Sequence, residues 1–228
     1  MPQATPKRGS TLKENIQALC IALLLALFIR TFIVQAFKIP SGSMLPTLQI
    51  GDHILVNKFI YGVKLPFMEA PLIPFSPPKV NDIVVFKYPV DPKLDYIKRV
   101  IAVAGDVVEI RNKKIFVNKK PFEDAHGVFD DPNIHPGTPA CRTSTGPGCR
   151  DNLGPITVPE DSLFVMGDNR DNSLDGRFWG FVKKNEVRGK AWRIYWSWDL
   201  RRPLFSWDRL KSIRWKRIAR SVDKAPQP

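Results

Sequence analysis

Two serines in a short proline-bounded stretch have the residue type that acts as a nucleophile. Ser41 and Ser43 lie in the sequence IPSGSMLPTL, residues 39–48. The two prolines fix φ on both sides of the serines and exclude a helix, while Gly42 allows another backbone to approach closely. The stretch therefore predicts a rigid, exposed turn, which either presents a catalytic hydroxyl or simply connects two elements.

A lysine in an apolar run could activate such a hydroxyl. Lys98 lies in DYIKRVIAV, residues 95–103, where strand alternation puts it on one face with Tyr96 and Val100. Desolvation lowers a lysine pKa from ~10.4 by up to ~3–5 units, which makes the neutral amine available as a base at ordinary pH. The interpretations are a Ser-Lys pair or an ordinary surface lysine on an edge strand.

A third stretch, VMGDNRDNSLDGRFWG at residues 165–180, combines charged, polar and aromatic residues. It predicts a packed polar loop with paired Asp and Arg side chains and a hydroxyl offered to a neighbour, or else a solvated hairpin turn.

The three histidines lie in unrelated contexts without cysteines or carboxylates at ligand spacing. We therefore expect no metal site and no cofactor.

The elements that must position these residues are strands. Apolar and β-branched runs bounded by turn-forming residues predict a mainly β domain. These runs are residues 53–59, 82–88, 96–103, 107–110, 114–117, 162–166 and 191–198. Asn112-Lys113 predicts a hairpin turn between two of the runs. In the last run Trp192, Ile194, Trp196 and Trp198 alternate with other residues, which predicts one apolar strand face.

The body divides into a catalytic β domain and an insertion. Residues 38–106 and 161–200 form the predicted catalytic domain, and the proline-rich stretch 107–160 reads as a small inserted β/loop subdomain. Within the insertion, Cys141 and Cys149 are close enough to close a small loop, either as a disulfide or as two free thiols.

The N-terminal region predicts membrane attachment. After the basic stretch 1–14, residues 15–37 are largely apolar, and a helix of this length spans ~33 Å, about the thickness of a bilayer core. The preceding basic residues favour a cytoplasmic N-terminus. We predict a single transmembrane helix, with a cleaved signal peptide as the alternative. In both cases the β domain is exported.

The net charge of +13 lies mainly at the chain ends. Residues 31–200 contain 22 Lys/Arg and 19 Asp/Glu, whereas residues 201–228 contain nine and two. This distribution disfavours a nucleic-acid partner, since no basic field covers the body. From Ser206, the tail 201–228 predicts a basic amphipathic helix that binds a membrane surface or packs on the domain.

Four motifs, PSGSMLPTL, GDHILVNKF, YIKRVIAVAGD and GDNRDNSLDGRFWG, follow the apolar segment. In this order they resemble bacterial type I signal peptidases, and the resemblance extends to about Trp198. It implies that Ser43 is the nucleophile and Lys98 the general base. It also implies that the Ser41 hydroxyl and the Ser43 N–H form the oxyanion hole.

The same resemblance implies roles for further residues. Ser173 would hydrogen-bond and orient the lysine, while Asp175 and Arg177 would be the paired charges that hold the polar loop. A substrate peptide would bind as an added strand over two shallow pockets. The residues matching the pocket positions are Phe37, Ile39, Met44, Leu48, Tyr96 and Ile97.

The resemblance thus implies a membrane-bound serine endopeptidase that removes signal peptides from exported preproteins. We expect a monomer in the bacterial plasma membrane, with its catalytic domain on the extracytoplasmic side and with preproteins and the lipid bilayer as partners. Two alternatives remain. One is a self-cleaving Ser-Lys repressor, which would be soluble and carry a DNA-binding helix pair. The other is a non-enzymatic, membrane-anchored β-rich binding module of the cell envelope, in which the serines and Lys98 are structural.

Overall fold

Two β-sheets form the body of the protein in the computed structural model, which describes residues 11–62, 75–199 and 211–222. Helix α1 spans Thr11–Phe28, and the four-residue helix α2 spans Gly176–Trp179. The strands are β1 (Val34–Lys38), β2 (Asp52–Asn57), β3 (Ile83–Lys87), β4 (Asp95–Val103), β5 (Val107–Arg111), β6 (Lys114–Val117), β7 (Lys120–Pro121), β8 (Leu153–Thr157), β9 (Ser162–Met166), β10 (Val182–Lys183) and β11 (Val187–Ser197). The predicted mainly β fold is confirmed.

The large sheet has the strand order β1-β2-β11-β3-β4-β9-β10, and its adjacent pairs are antiparallel. The small sheet has the order β7-β6-β5-β8. The chain leaves the large sheet after β4, builds the small sheet and returns in β9, which pairs directly with β4. The small sheet thus falls within residues 107–160, where the sequence predicts an insertion, and a disulfide joins Cys141 to Cys149 in this region.

Local chemistry accounts for the tight hairpin between β5 and β6. Asn112 and Lys113 both have positive φ, 48° and 70°, as a type I′ turn requires. The backbone twist of this turn matches the right-handed twist of the two strands that it joins. Arg111 consequently lies opposite Lys114.

Two buried clusters tie the sheets to the candidate site. One joins the sheets, because Ile101 and Phe164 of the large sheet pack with Val108 and Ile110 of the small one. The second lies beneath the turn between β1 and β2 and contains Ile39, Met44, Leu48, Ile54, Val56, Ile83, Val85, Ala191, Ile194 and Val222. The turn that carries the serines is therefore supported by a closely packed apolar cluster.

The N-terminal segment differs from the predicted helix over residues 15–37. Helix α1 ends at Phe28, a π-helix covers Ile29–Ile33, and Val34 begins strand β1. From Val34 onward the chain pairs with β2, with Phe37 opposite Ile54, so residues 34–37 belong to the sheet. No helix in the described ranges combines the length and the apolar character of a membrane span.

The predicted single apolar face of residues 191–198 is wrong. The pairing of β11 with β2 shifts register between Ala191 and Arg193 and again between Ile194 and Trp196. Each shift breaks the simple alternation of side chains. Trp192 is therefore 46% exposed while Ile194 is buried at 1%.

The predicted C-terminal helix is also not continuous. Residues 201–210 and 223–228 lie outside the described residues. Residues 211–222 contain a single 3-10 turn, Trp215–Arg217, and two isolated bridges, Trp198 with Ile213 and Arg193 with Ser221. This segment packs along β11, because its backbone hydrogen-bonds to that strand at Ile194 and at Ser197.

Candidate active site

Ser43 and Lys98 meet although 55 residues separate them in sequence. Ser43 lies on the turn between β1 and β2, and Lys98 lies on β4, which β11 and β3 separate from β2 in the large sheet. Lys98 Nζ donates to Ser43 Oγ at 2.8 Å and to the carbonyl oxygen of Ile97 at 3.0 Å. Ser43 is partly exposed whereas Lys98 is only 3% exposed. A reachable hydroxyl is thus paired with a buried amine.

Burial lowers the pKa of Lys98 from 10.5 to about 8. The nearby carboxylates of Asp175 and Asp168 act in the opposite direction, and Arg177 adds to the lowering. At pH 7 such a lysine is neutral roughly 300-fold more often than one at its ordinary pKa. Once it is neutral, Nζ can accept the Ser43 proton over the same short distance.

Two hydrogen-bond donors lie at the Ser43 hydroxyl. Ser41 Oγ is 3.5 Å from Ser43 Oγ, and the Ser41 side chain is exposed. The Ser43 N–H donates to no partner among residues 11–62, 75–199 and 211–222. Both groups are therefore available to an oxygen that develops negative charge beside Ser43.

The polar loop after β9 holds the serine turn in place. Asn169 donates from its backbone N–H to the Ser43 carbonyl at 3.1 Å and from Nδ2 to the Gly42 carbonyl at 3.3 Å. The Thr47 hydroxyl donates to Asp168 Oδ2 at 2.6 Å. The turn is thus fixed near its middle and near its end.

Arg99, the residue after Lys98, holds Asp168 in place. Arg99 Nε and Nη2 donate to the two carboxylate oxygens of Asp168 at 2.8 and 2.7 Å, and both side chains are buried. The bidentate geometry satisfies a pair of charges that would be costly to bury alone. Sequence reasoning missed the roles of Arg99, Asp168 and Thr47. An arginine inside an apolar strand was the signal, since it requires a buried acidic partner.

Asp175 and Arg177 form the pair that the sequence predicts. Arg177 Nε and Nη2 donate to the Asp175 carboxylate, both at 2.9 Å, and the Gly167 N–H donates to Asp175 Oδ2 at 3.0 Å. Burial acts to raise the pKa of Asp175, but the charge and hydrogen bonds of Arg177 and the Gly167 N–H outweigh burial and lower the pKa. The carboxylate therefore stays charged and anchors the backbone next to the serine turn.

Ser173 differs from its expected role. Its hydroxyl is buried but has no hydrogen-bond partner of ordinary geometry within the described residues, so it does not bond to Lys98. It lies close enough to Asp175 to contribute to the lowered pKa of that carboxyl group. It also lies against Gly167, where a Cβ would overlap both the Ser173 hydroxyl and the Ser43 carbonyl oxygen. Close packing of the loop, with Gly167 in it, accounts for the position of Ser173.

The six predicted pocket residues fall into two groups. Ile39, Met44 and Leu48 expose at most 2% of their surface, so in this conformation they form the base of the turn and not an open pocket. The partly exposed residues are Phe37, Tyr96 and Ile97. Phe37 and Ile97 pack against the cluster beneath the turn, while the Tyr96 ring stacks on Tyr88 and lies 5.4 Å from Lys98 Nζ.

Comparison with known proteins matches residues 12–196 of the chain to the family described as signal peptidase, peptidase S26. The chain is 37% identical over 198 residues to the signal peptidase I of Pseudomonas aeruginosa, covering 77% of this chain and 69% of that protein. It is 38% identical over 198 residues to the signal peptidase I of Pseudomonas fluorescens, with the same coverage. It is also 36% identical over 229 residues to the signal peptidase I of Aquifex aeolicus, covering 82% of this chain and 85% of that protein.

Proposed function

Because this chain belongs to the signal peptidase family, peptidase S26, we propose that it cleaves signal peptides from preproteins with Ser43 as nucleophile and Lys98 as general base. The observation that carries this assignment is the 2.8 Å contact between Ser43 Oγ and a buried lysine amine. The lowered pKa of Lys98 supports it, because a base must be neutral to take up a proton.

Acylation follows from these positions. Neutral Lys98 accepts the Ser43 proton as Oγ attacks the carbonyl carbon before the scissile bond. The Ser41 hydroxyl and the Ser43 N–H donate to the resulting oxyanion. The protonated lysine then gives its proton to the leaving amine, the C–N bond breaks, and an ester of Ser43 remains.

Deacylation uses the same two residues. Lys98, again neutral, accepts a proton from water, and the water oxygen attacks the ester carbonyl. The oxyanion collapses and Ser43 leaves as its hydroxyl, taking the proton from Lys98. The free enzyme is restored, and the net change is addition of one water across the peptide bond.

The substrate is a preprotein bearing a signal peptide, bound as an added strand. Strand β1 is the terminal strand of the large sheet and leads into the serine turn. Its outer edge pairs with no strand among the described residues, so an extended peptide that reaches Ser43 can pair with it. Phe37, Tyr96 and Ile97 are the partly exposed side chains proposed to contact the peptide near the cleaved bond.

The apolar N-terminal segment is proposed as a single-pass anchor in the bacterial plasma membrane. Leu19, Leu23, Leu24, Leu27 and Phe28 of α1 are all at least half exposed. Residues 15–33 in helical form span ~28 Å, close to the apolar thickness of a bilayer. This arrangement places the β domain on the extracytoplasmic side, beside the lipid bilayer.

The dyad is tested by cleavage of a preprotein with purified variants. Ser43→Ala and Lys98→Ala are expected to lower cleavage by at least roughly a thousandfold. Lys93→Ala, which removes an exposed lysine from the turn before β4, is the matched control and should keep wild-type activity. Wild-type cleavage by either Ser43→Ala or Lys98→Ala would overturn the assignment.

A further inference from the structure

The C-terminal segment 211–222 lies beyond the residues matched to the family and packs against the base of the serine turn. Its backbone pairs with β11: Ala219 N–H donates to the Ile194 carbonyl at 2.8 Å, and Ile194 N–H donates to the Arg220 carbonyl at 3.0 Å. Val222 is buried at 1% in the cluster that contains Met44 and Leu48. The segment is therefore part of the folded domain.

One side chain of this segment reaches the end of the serine turn. Arg217 Nη2 donates to the Thr47 carbonyl at 2.9 Å and to Asp52 Oδ2 at 2.6 Å, and Arg217 Nε donates to Asp52 Oδ1 at 3.1 Å. Arg217 is 11% exposed and Asp52 is fully buried. The guanidinium thus joins the turn to the first residue of β2.

The two partners of Arg217 depend on it unequally. Asp52 also accepts from the Ser197 hydroxyl at 2.6 Å and from the Gln49 N–H at 2.8 Å. The Thr47 carbonyl accepts no second hydrogen bond from any residue that the structure describes. Loss of Arg217 would therefore leave the Thr47 carbonyl without a partner among the described residues, and it would leave the buried Asp52 carboxylate with hydrogen bonds but without its ion-pair partner.

Thr47 is connected to Ser43 through the turn. Its hydroxyl is held by Asp168 and its carbonyl by Arg217, so it is fixed from two sides. The next residue, Leu48, donates its N–H to the Met44 carbonyl at 2.8 Å, and Met44 directly follows Ser43. A shift of Thr47 therefore passes to the nucleophile through Leu48, the hydrogen bond from Leu48 to Met44, and Met44 itself.

We infer that Arg217 is a positioning residue for Ser43: through Thr47 and Asp52 it holds the Ser43 hydroxyl at reacting distance from Lys98. This inference rests on the proposed Ser-Lys function. Because rates fall roughly a hundredfold when reacting groups are misplaced by about 1 Å, a small displacement of the turn is enough to matter.

The test compares Arg217→Met and Arg217→Lys with Lys216→Gln, which changes an adjacent, exposed cation. The full-length proteins are assayed for kcat and KM on a preprotein, per folded molecule determined by circular dichroism, well below the Tm of each variant. Arg217→Met is expected to lower kcat roughly 10- to 100-fold with KM changed less than about twofold. Arg217→Lys, which keeps the charge without the fork of donors, should fall between Arg217→Met and wild type. Lys216→Gln should match wild type.

A lower Tm for Arg217→Met with wild-type kcat per folded molecule would overturn the inference, because Arg217 would then only stabilise the fold. If Arg217→Met does not fold, a reduced kcat with unchanged KM in Arg217→Lys supports the inference, and a wild-type kcat overturns it. Failure of both variants to fold would also overturn it. Ser43→Ala, assayed in parallel, separates the two proposals, since its retained activity would reject the dyad itself whatever the Arg217 variants do.

Discussion

At the scale of the residue, Lys98 is placed between opposing electrostatic effects. Burial favours its neutral form, while Asp175 and Asp168 favour its charged form, and the balance leaves its pKa at about 8. Both carboxylates are themselves paired with arginines, Arg177 and Arg99. The pairing limits how far they raise the lysine pKa, so the amine can both take up and return a proton near neutral pH.

The first prediction concerns the pH dependence of cleavage. Because Lys98 must be neutral in the free enzyme, kcat/KM should rise about tenfold per pH unit below pH 8 and level off above about pH 9. Steady-state kinetics on one preprotein from pH 5 to 10 measure this directly. A profile that is flat from pH 5 to 9 would contradict a lysine base.

The lowered pKa of Lys98 should also make the free energy of unfolding depend on pH. The folded-state pKa of about 8 lies below the ordinary value of 10.5, so the unfolded chain binds more protons between these two pH values. The wild type should therefore gain about 3 kcal/mol in free energy of unfolding as pH rises through this window. Below pH 8 the free-energy cost of burying the charged lysine should stay constant. Lys98→Met lacks this contribution. Denaturant unfolding of both proteins from pH 7 to 10 should show the difference, and parallel pH curves would exclude the shift.

At the scale of the element, the end of β9 must approach the serine turn closely. Gly167 follows β9 and leaves no room for a Cβ between the Ser43 carbonyl oxygen and the Ser173 hydroxyl. The overlap with Ser43 involves backbone, so no side-chain rotation relieves it. The contact is needed because the next residues, Asp168 and Asn169, hold the turn through Thr47 and Ser43.

We therefore expect Gly167→Ala to displace the serine turn and lower kcat by roughly a hundredfold or more. Gly146→Ala is the matched control, because a Cβ at Gly146 meets nothing within 4 Å. Cleavage rates per folded molecule, with folding followed by circular dichroism, compare the two. Wild-type kcat in Gly167→Ala would show that the turn tolerates separation from β9.

The elements differ in how far the sequence predicts them. Strands β6 and β9 match their predicted runs residue for residue, because local alternation and turn residues define them. The register shifts in β11 and the transition from π-helix to strand at Val34 depend on pairing with β2, which no local pattern contains.

For the candidate site, residue type and resemblance predict Ser43 and Lys98. Arg99, Asp168 and Arg217 were missed because their partners are 69 to 170 residues away.

At the scale of the whole molecule, the +13 charge has two distinct uses. The body is nearly neutral because residues 31–200 contain 22 basic and 19 acidic residues, some of which pair internally, as Arg99 does with Asp168. The basic tail, predicted as a helix that binds a membrane surface or packs on the domain, contributes Arg217 to the buried Asp52 and Arg214 to the Ile50 carbonyl at 3.0 Å. Part of the terminal charge excess therefore stabilises the catalytic domain.

At the same scale, the proposed attachment of the protein to the membrane depends on α1, and substitutions in α1 test it. Leu23 and Leu24 are 59% and 67% exposed near the middle of residues 15–33. Arginine near the centre of a bilayer costs about 2.5–3.5 kcal/mol per residue, so Leu23→Arg/Leu24→Arg should move the protein from the membrane pellet to the soluble fraction after an alkaline carbonate wash. Val90→Arg, at a 68% exposed position between β3 and β4, should stay in the pellet. Wild-type retention of the double variant would mean that α1 is not the anchor.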